Sequence, residues 1–213
     1  MEGLVIIILA IFLLTSAGQR DTRQPKEPIA APPGSEQAQN AFKYHDTGGT
    51  TTPQGPQATG DYENTDSLRI KDLIKRFKPD YPDVQVEMYA SIIIKYGRTY
   101  NIDPKLLAGL ICRESAFDPK ARSSTGALGL GQIKPFNFAA LGITDPYNPE
   151  QNVKGIAIML RDFFEKWRGQ EKRLELSLAS YKEGYNAIAA NKKYKPDTEK
   201  YIEDIKGFIR NMH

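Results

Sequence analysis

Few side chains in this chain are equipped for catalysis. The sequence holds two histidines, His45 and His213, and one cysteine, Cys112, which excludes an intrachain disulfide framework and makes a Cys/His zinc site implausible. No metal or other cofactor is expected. Chemistry must rest on carboxylates, hydroxyls, amides or lysines. Spacing singles out Glu114. Leu107, Leu110, Ile111 and Glu114 fall at i, i+3, i+4 and i+7, so the carboxylate shares one helical stripe with apolar residues. A charge there is costly unless it is paired or kept protonated. Arg113 lies about 100° round the helix, off that face. Cys112 points away from it and reads as a small buried filler. The plain alternative is a Glu114 at a frayed helix end, in water.

The segment after Glu114 favours a carboxyl held against apolar surroundings. Glu114-Ser115-Ala116-Phe117-Asp118-Pro119 closes the helix, and a weakly charged loop runs on through Ala121, Ser123, Ala127, Leu130, Gln132, Ile133 and Pro135. Gly126, Gly129 and Gly131 let its backbone turn tightly and approach other groups closely. Neither a Walker pattern nor a preceding strand is present, so it is not a phosphate cradle. It reads as a packed loop laid across a carboxylate-bearing helix, with Ser123 and Gln132 offering hydroxyl and amide hydrogen bonds. A carboxyl with raised pKa in an apolar pocket is what a glycosidic general acid requires.

The elements that must position these residues are helical from about residue 61. Leu68, Ile70, Leu73, Ile74 and Phe77 mark a short amphipathic helix that stops before Pro79. Asp83 can cap a second, lined by Tyr89, Ile92, Ile93, Tyr96 and Tyr100. Asp103-Pro104 is an N-cap with proline at the first helical position, opening the Glu114 helix. Further helices are expected over 150–167, 171–190 and 197–212. In the first of these, Trp167 and the Phe163/Phe164 pair belong to the core, and Arg161, Lys166, Arg168, Lys172 and Arg173 form a mainly solvated basic face. No hairpin signal or internal repeat is present, so residues 61–213 form an all-α domain.

The rest of the chain is of a different kind. Residues 3–14 are an uninterrupted apolar run ending at Thr15-Ser16-Ala17-Gly18. Twelve helical residues span roughly 18 Å against a hydrocarbon core of roughly 30 Å. Residues 1–18 therefore read as a signal peptide or a membrane anchor, and both readings export the remainder to the periplasm or cell envelope. Residues 19–60, rich in Pro, Gly and Thr, bury too little to order and read as a linker. The 213 residues carry 29 basic and 26 acidic side chains. That mild excess, with no dense basic block, argues against a nucleic-acid partner.

The loop also carries a resemblance. Glu-Ser-x-Phe-x-Pro-x-Ala-x-Ser-x-x-Gly-Ala-x-Gly-Leu-x-Gln-Ile-x-Pro, residues 114–135, resembles the signature of soluble-lytic-transglycosylase-type domains, which share the goose-type lysozyme fold. Asn148-Pro149-x-x-Asn152-Val153 with Leu160, Ser177-Leu178-Ala179-Ser180-Tyr181 with Gly184, and Thr198-x-x-Tyr201-Ile202 are similar to the family's later blocks. The resemblance covers residues 85 to 210. It departs at Lys134, Ile156 and Met159, at Lys182-Glu183 where the family usually has Asn-Ala, and at Tyr185-Asn186 where it has Pro-Gly.

The resemblance implies a lysozyme-like fold and cleavage of peptidoglycan glycan strands between N-acetylmuramic acid and N-acetylglucosamine, leaving 1,6-anhydromuramoyl ends. Glu114 would act as acid and then as base, with Ser123 and Gln132 binding sugar or acetamido groups and Tyr181 orienting the acid or the acetamido group. A hydrolytic muramidase is the alternative. It needs a second carboxylate, for which Asp118, Asp145, Glu150 and Glu183 are the candidates. A third reading is a wall-binding or assembly component of a secretion system or phage particle.

Overall fold

The computed structural model describes residues 59–212, with side chains from residue 65 onward. The expected signal peptide or anchor at 1–18 and nearly all of the expected linker lie outside the described residues. The described residues belong to one compact unit and are helical, with no strand among them. The order is α1 (Thr59–Phe77), α2 (Asp83–Thr99), α3 (Pro104–Ser115), a 3₁₀ turn (Pro135–Asn137), α4 (Phe138–Leu141), α5 (Pro149–Lys166), α6 (Arg173–Glu183), α7 (Tyr185–Ala189) and α8 (Pro196–Arg210).

Helix α3 is the core element. Asp103 caps it by accepting the Lys105 backbone N–H at 2.8 Å, and Pro104 occupies the first turn, where a missing N–H costs nothing. Every residue from Leu106 to Cys112 is buried, so α3 is covered on all sides. It packs on α1, α2 and α8, and α8 also rests on α6. The Cys112 thiol is 4% exposed and pushed well above its ordinary pKa by burial, against the Arg113 charge that pulls it down. It is the filler its position implied.

Several sequence expectations need correction. The segment 171–190 is two helices, because Gly184 takes φ +92° between α6 and α7. Helix α1 already begins at Thr59, inside the segment read as linker. Leu68 stands out to solvent at 56% exposure, while Ile70, Leu73 and Ile74 are buried. The basic face at the end of α5 is solvated as expected, and its charges pair with neighbouring acids: Lys166 with Asp162, and Arg168 and Arg173 with Glu165.

The loop between α3 and the 3₁₀ turn is tied down along its length. Leu128 and Ile133 exchange backbone hydrogen bonds at 3.0 and 3.1 Å, and Gly129 N–H donates to Ala121 O at 2.9 Å. At Gly131 a Cβ would lie 2.3 Å from Ile156 Cγ1 and 2.9 Å from the Tyr181 hydroxyl, so only glycine lets the loop press this closely onto α5 and α6. Asn152 on α5, fully buried, completes the clamp. Its Oδ1 accepts the Gly131 N–H at 2.8 Å, and its Nδ2 donates to Leu128 O at 3.2 Å and Pro146 O at 2.9 Å. Removing that amide leaves the buried Gly131 N–H without its acceptor and takes a donor from Leu128 O and Pro146 O. Asn152→Ala should lower stability by about 2–4 kcal/mol, read as a lower urea midpoint; an unchanged midpoint would show that the loop holds without it.

Candidate active site

Glu114 lies in the last turn of α3, partly buried. The chain leaves the helix through two left-handed residues, Ala116 (φ 48°) and Phe117 (φ 61°). Non-glycine residues adopt this conformation at a cost of order 1 kcal/mol each. It turns the Phe117 ring fully into the core and brings the loop back across the helix end. The Tyr81 hydroxyl fixes the turn by donating to Phe117 O at 3.1 Å.

The partner of the carboxyl comes from α8. The Tyr201 hydroxyl donates to Glu114 Oε1 at 2.6 Å, and the Tyr201 side chain is itself 2% exposed. Burial pushes Glu114 from its ordinary pKa near 4.5 up to about 7, against the Tyr201 hydrogen bond and the Arg113 and Lys182 charges, which pull it down. Burial, the Glu114 charge and the hydrogen bond to it hold Tyr201 well above its ordinary pKa, so it stays a phenol and a donor. Two cations flank the ring: the Arg113 guanidinium at 5.4 Å and the Lys182 ammonium at 5.3 Å from its centroid. Arg113 therefore does reach this site. Its backbone is off the apolar stripe, but the long side chain swings to α8, where Nε bonds Asp204 Oδ2 at 3.0 Å.

The other expected site residues sort themselves by their hydrogen bonds. Tyr181, on α6, donates to Gly131 O at 2.7 Å and stands close enough to Glu114 for that charge, after burial, to raise its own pKa. It joins the acid to the loop. Ser123 Oγ accepts the Ala127 N–H at 2.9 Å and pairs with Thr125 Oγ1 at 3.1 Å. Gln132, itself left-handed at φ 50°, donates from Nε2 to Ala121 O and Gly129 O at 3.1 and 3.0 Å. The bonds of Ser123 and Gln132 thus shape the loop. Tyr201 was missed as a site residue, although a signal was available: like Glu114, it sets a polar group on an apolar helical stripe, with Ile205 and Phe208 at i+4 and i+7.

A carboxyl poised near pH 7 and served by a neutral donor can give up a proton and take one back within a cycle. Among the described residues, no group of three or more His, Cys, Asp or Glu could hold a metal ion.

The comparisons with known proteins agree with this architecture. The family profile described as "Transglycosylase SLT domain" matches residues 91–203, slightly more than half of the chain, and the chain belongs to that family. It is 34% identical over 106 residues to the "Transglycosylase" of Enterobacteria phage PRD1, covering 50% of this chain and 38% of that one. It is 31% identical over 152 residues to "Membrane-bound lytic murein transglycosylase F" of Desulfosudis oleivorans, covering 67% of this chain and 31% of that protein. The chain thus spans about a third of the length of these relatives. Among solved structures, the 70 kDa soluble lytic transglycosylase of Escherichia coli matches with a TM-score of 0.50 at 17% identity, over 71% of this chain and 28% of that one. That likeness bears out the all-α, lysozyme-like fold.

The raised pKa has a consequence for stability. Glu114 binds its proton more tightly folded than unfolded, so the stability this confers is complete below about pH 4.5 and is lost as pH rises to about 7. Glu114→Gln removes the titration while keeping an acceptor for Tyr201. Relative to wild type, the variant should gain roughly 2–3 kcal/mol between pH 4.5 and pH 7, with a constant difference above. Melting curves across that range check this; parallel curves would mean that Glu114 titrates normally.

Proposed function

We propose that the protein is a peptidoglycan lytic transglycosylase acting at the cell envelope, with Glu114 as its single catalytic carboxyl. The observation that carries this is the partly buried Glu114, pushed up to about 7 and held by Tyr201, in a chain of the transglycosylase SLT domain family. Glu114 gives its proton to the oxygen that leaves as the bond from C1 of N-acetylmuramic acid to O4 of N-acetylglucosamine breaks. Positive charge grows at C1 and the ring oxygen, where the sugar's own acetamido oxygen can share it. Glu114, now ionised, takes the C6 hydroxyl proton as O6 closes on C1, giving the 1,6-anhydro ring and restoring the acid. Water is not consumed, and no second carboxylate is needed. Ser123 and Gln132 frame the loop beside the reacting sugar, and Tyr181 orients the acid or the acetamido group.

The local bonds of the four carboxylates considered for hydrolysis favour this over a muramidase. Asp118 Oδ1 accepts the Lys120 N–H and Asp145 Oδ1 the Tyr147 N–H, at 2.8 and 2.9 Å. Glu150 pairs with Lys95 at 2.6 Å, and that hydrogen bond draws its pKa down. Glu183 Oε1 accepts the Lys195 N–H at 3.1 Å, at the start of α8. Burial lifts the Glu183 pKa, but the hydrogen bond from the Lys195 N–H and the Lys195 charge pull the other way, and the carboxyl lies below its usual value. Each of the four has a local partner of its own.

Export follows from the reading of residues 1–18 as a signal peptide or membrane anchor, with residues 19–60 as a tether to the catalytic domain at 61–213. Among the described residues no helix is long and apolar enough to cross a membrane. The substrate is then the glycan of the wall, met in wall remodelling, in a secretion apparatus or in a phage particle. Mass spectrometry of digested sacculi should show muropeptides with anhydro ends. Glu114→Gln should clear sacculi at least about 100-fold more slowly. Products one water heavier would establish hydrolysis, and equal clearing by both proteins would remove Glu114 from the reaction.

A further inference from the structure

Lys182 follows Tyr181 on α6, and the structure gives that lysine a defined place. Its ammonium donates to Asp197 O at 2.8 Å and to Asp197 Oδ2 at 3.1 Å, in the first turn of α8. Its side chain is only 26% exposed. Held there, the ammonium sits 5.3 Å from the centroid of the Tyr201 ring, one α8 turn beyond its tether. Tyr201 is the residue whose hydroxyl meets Glu114. As a stability device this arrangement is weak, because largely exposed ion pairs contribute about 0–1 kcal/mol. As a brace it is well placed, since a cation over an aromatic face fixes the ring's tilt and so the direction of its hydroxyl.

We propose that Lys182 is a positioning residue for the acid: tethered to Asp197, it holds the Tyr201 ring so that the Tyr201 hydroxyl stays on Glu114. This rests on the reading of Glu114 as the catalytic acid. The charged and titratable groups facing Glu114 are Arg113 beside it on α3, Tyr181 and Lys182 from α6, and Tyr201 from α8, with Asp204 behind Arg113 and Asp197 behind Lys182. Among the influences that lower the Glu114 pKa, the Tyr201 hydrogen bond is the largest, Arg113 follows and Lys182 is the smallest. The lysine's direct pull through space is thus minor, and its leverage lies in the hydrogen bond it steadies.

The test is the titration of the Glu114 side-chain carboxyl in the full chain, followed by carbon NMR with the signal assigned through Glu114→Gln. The variants are Lys182→Met, Tyr201→Phe, the two combined, and Lys182→Arg. Lys182→Met should raise the midpoint by about half a pH unit, and Lys182→Arg should restore it. In the Tyr201→Phe background, Lys182→Met should add less than half of that shift. If Lys182→Met folds poorly by circular dichroism, Asp197→Asn removes the charged half of the same tether and leaves its backbone half, and should shift the midpoint in the same direction by a smaller amount. An unmoved midpoint in the folded variants, or an equal shift with and without the Tyr201 hydroxyl, would overturn the proposal. Glu114 titrates whether or not glycan is cleaved. Failure of the assigned activity would instead appear as wild-type protein that yields no anhydro ends, with these midpoints still readable.

Discussion

One buried carboxyl governs the arrangement of the rest. A side chain on the apolar stripe of the central helix cannot be ionised cheaply, and the fold answers with a neutral phenol hydrogen bond and two cations set against that phenol's ring. A closer cation would have made the group a permanent carboxylate, unable to donate; no partner at all would have made it a permanent acid, unable to recover its proton from a sugar hydroxyl. Tyr201 reaches the carboxyl because α8, remote in sequence, packs extensively on α3.

The loop serves the same end by exclusion. Asn152 from α5, Tyr181 from α6 and the backbone of 121–133 lock together, and the residues expected to touch sugar spend much of their bonding capacity on the loop itself. Ser123 and Gln132 brace the loop through these bonds. Preorganisation of this kind fixes the groups around Glu114 before any substrate arrives.

Much of this was legible in the sequence because it is written locally. The stripe of Leu107, Leu110, Ile111 and Glu114, the Asp103-Pro104 start of α3 and the glycines of the loop follow from periodicity and turn chemistry, and all appear as expected. What was not legible depends on distant partners. Arg113 looked misplaced on a helical wheel, yet its long side chain reaches α8. Tyr201 lies 87 positions from the acid it serves. The left-handed Ala116, Phe117 and Gln132 carry none of the glycine that advertises such backbone; packing and hydrogen bonding impose it. Helix α4 is a single turn that no local propensity nucleates alone, and the break at Gly184 hid inside a pattern that read as one helix.

The central claim is that a single carboxyl, protonated at the start of each turnover, limits the reaction. The pH dependence of kcat/KM for release of soluble glycan from purified sacculi tests it most directly. The rate should fall as pH rises through about 7, where Glu114 loses its proton in the free enzyme. A rate that instead stays level or climbs to pH 9 would mean that Glu114 works ionised, and the account of a buried acid would fail.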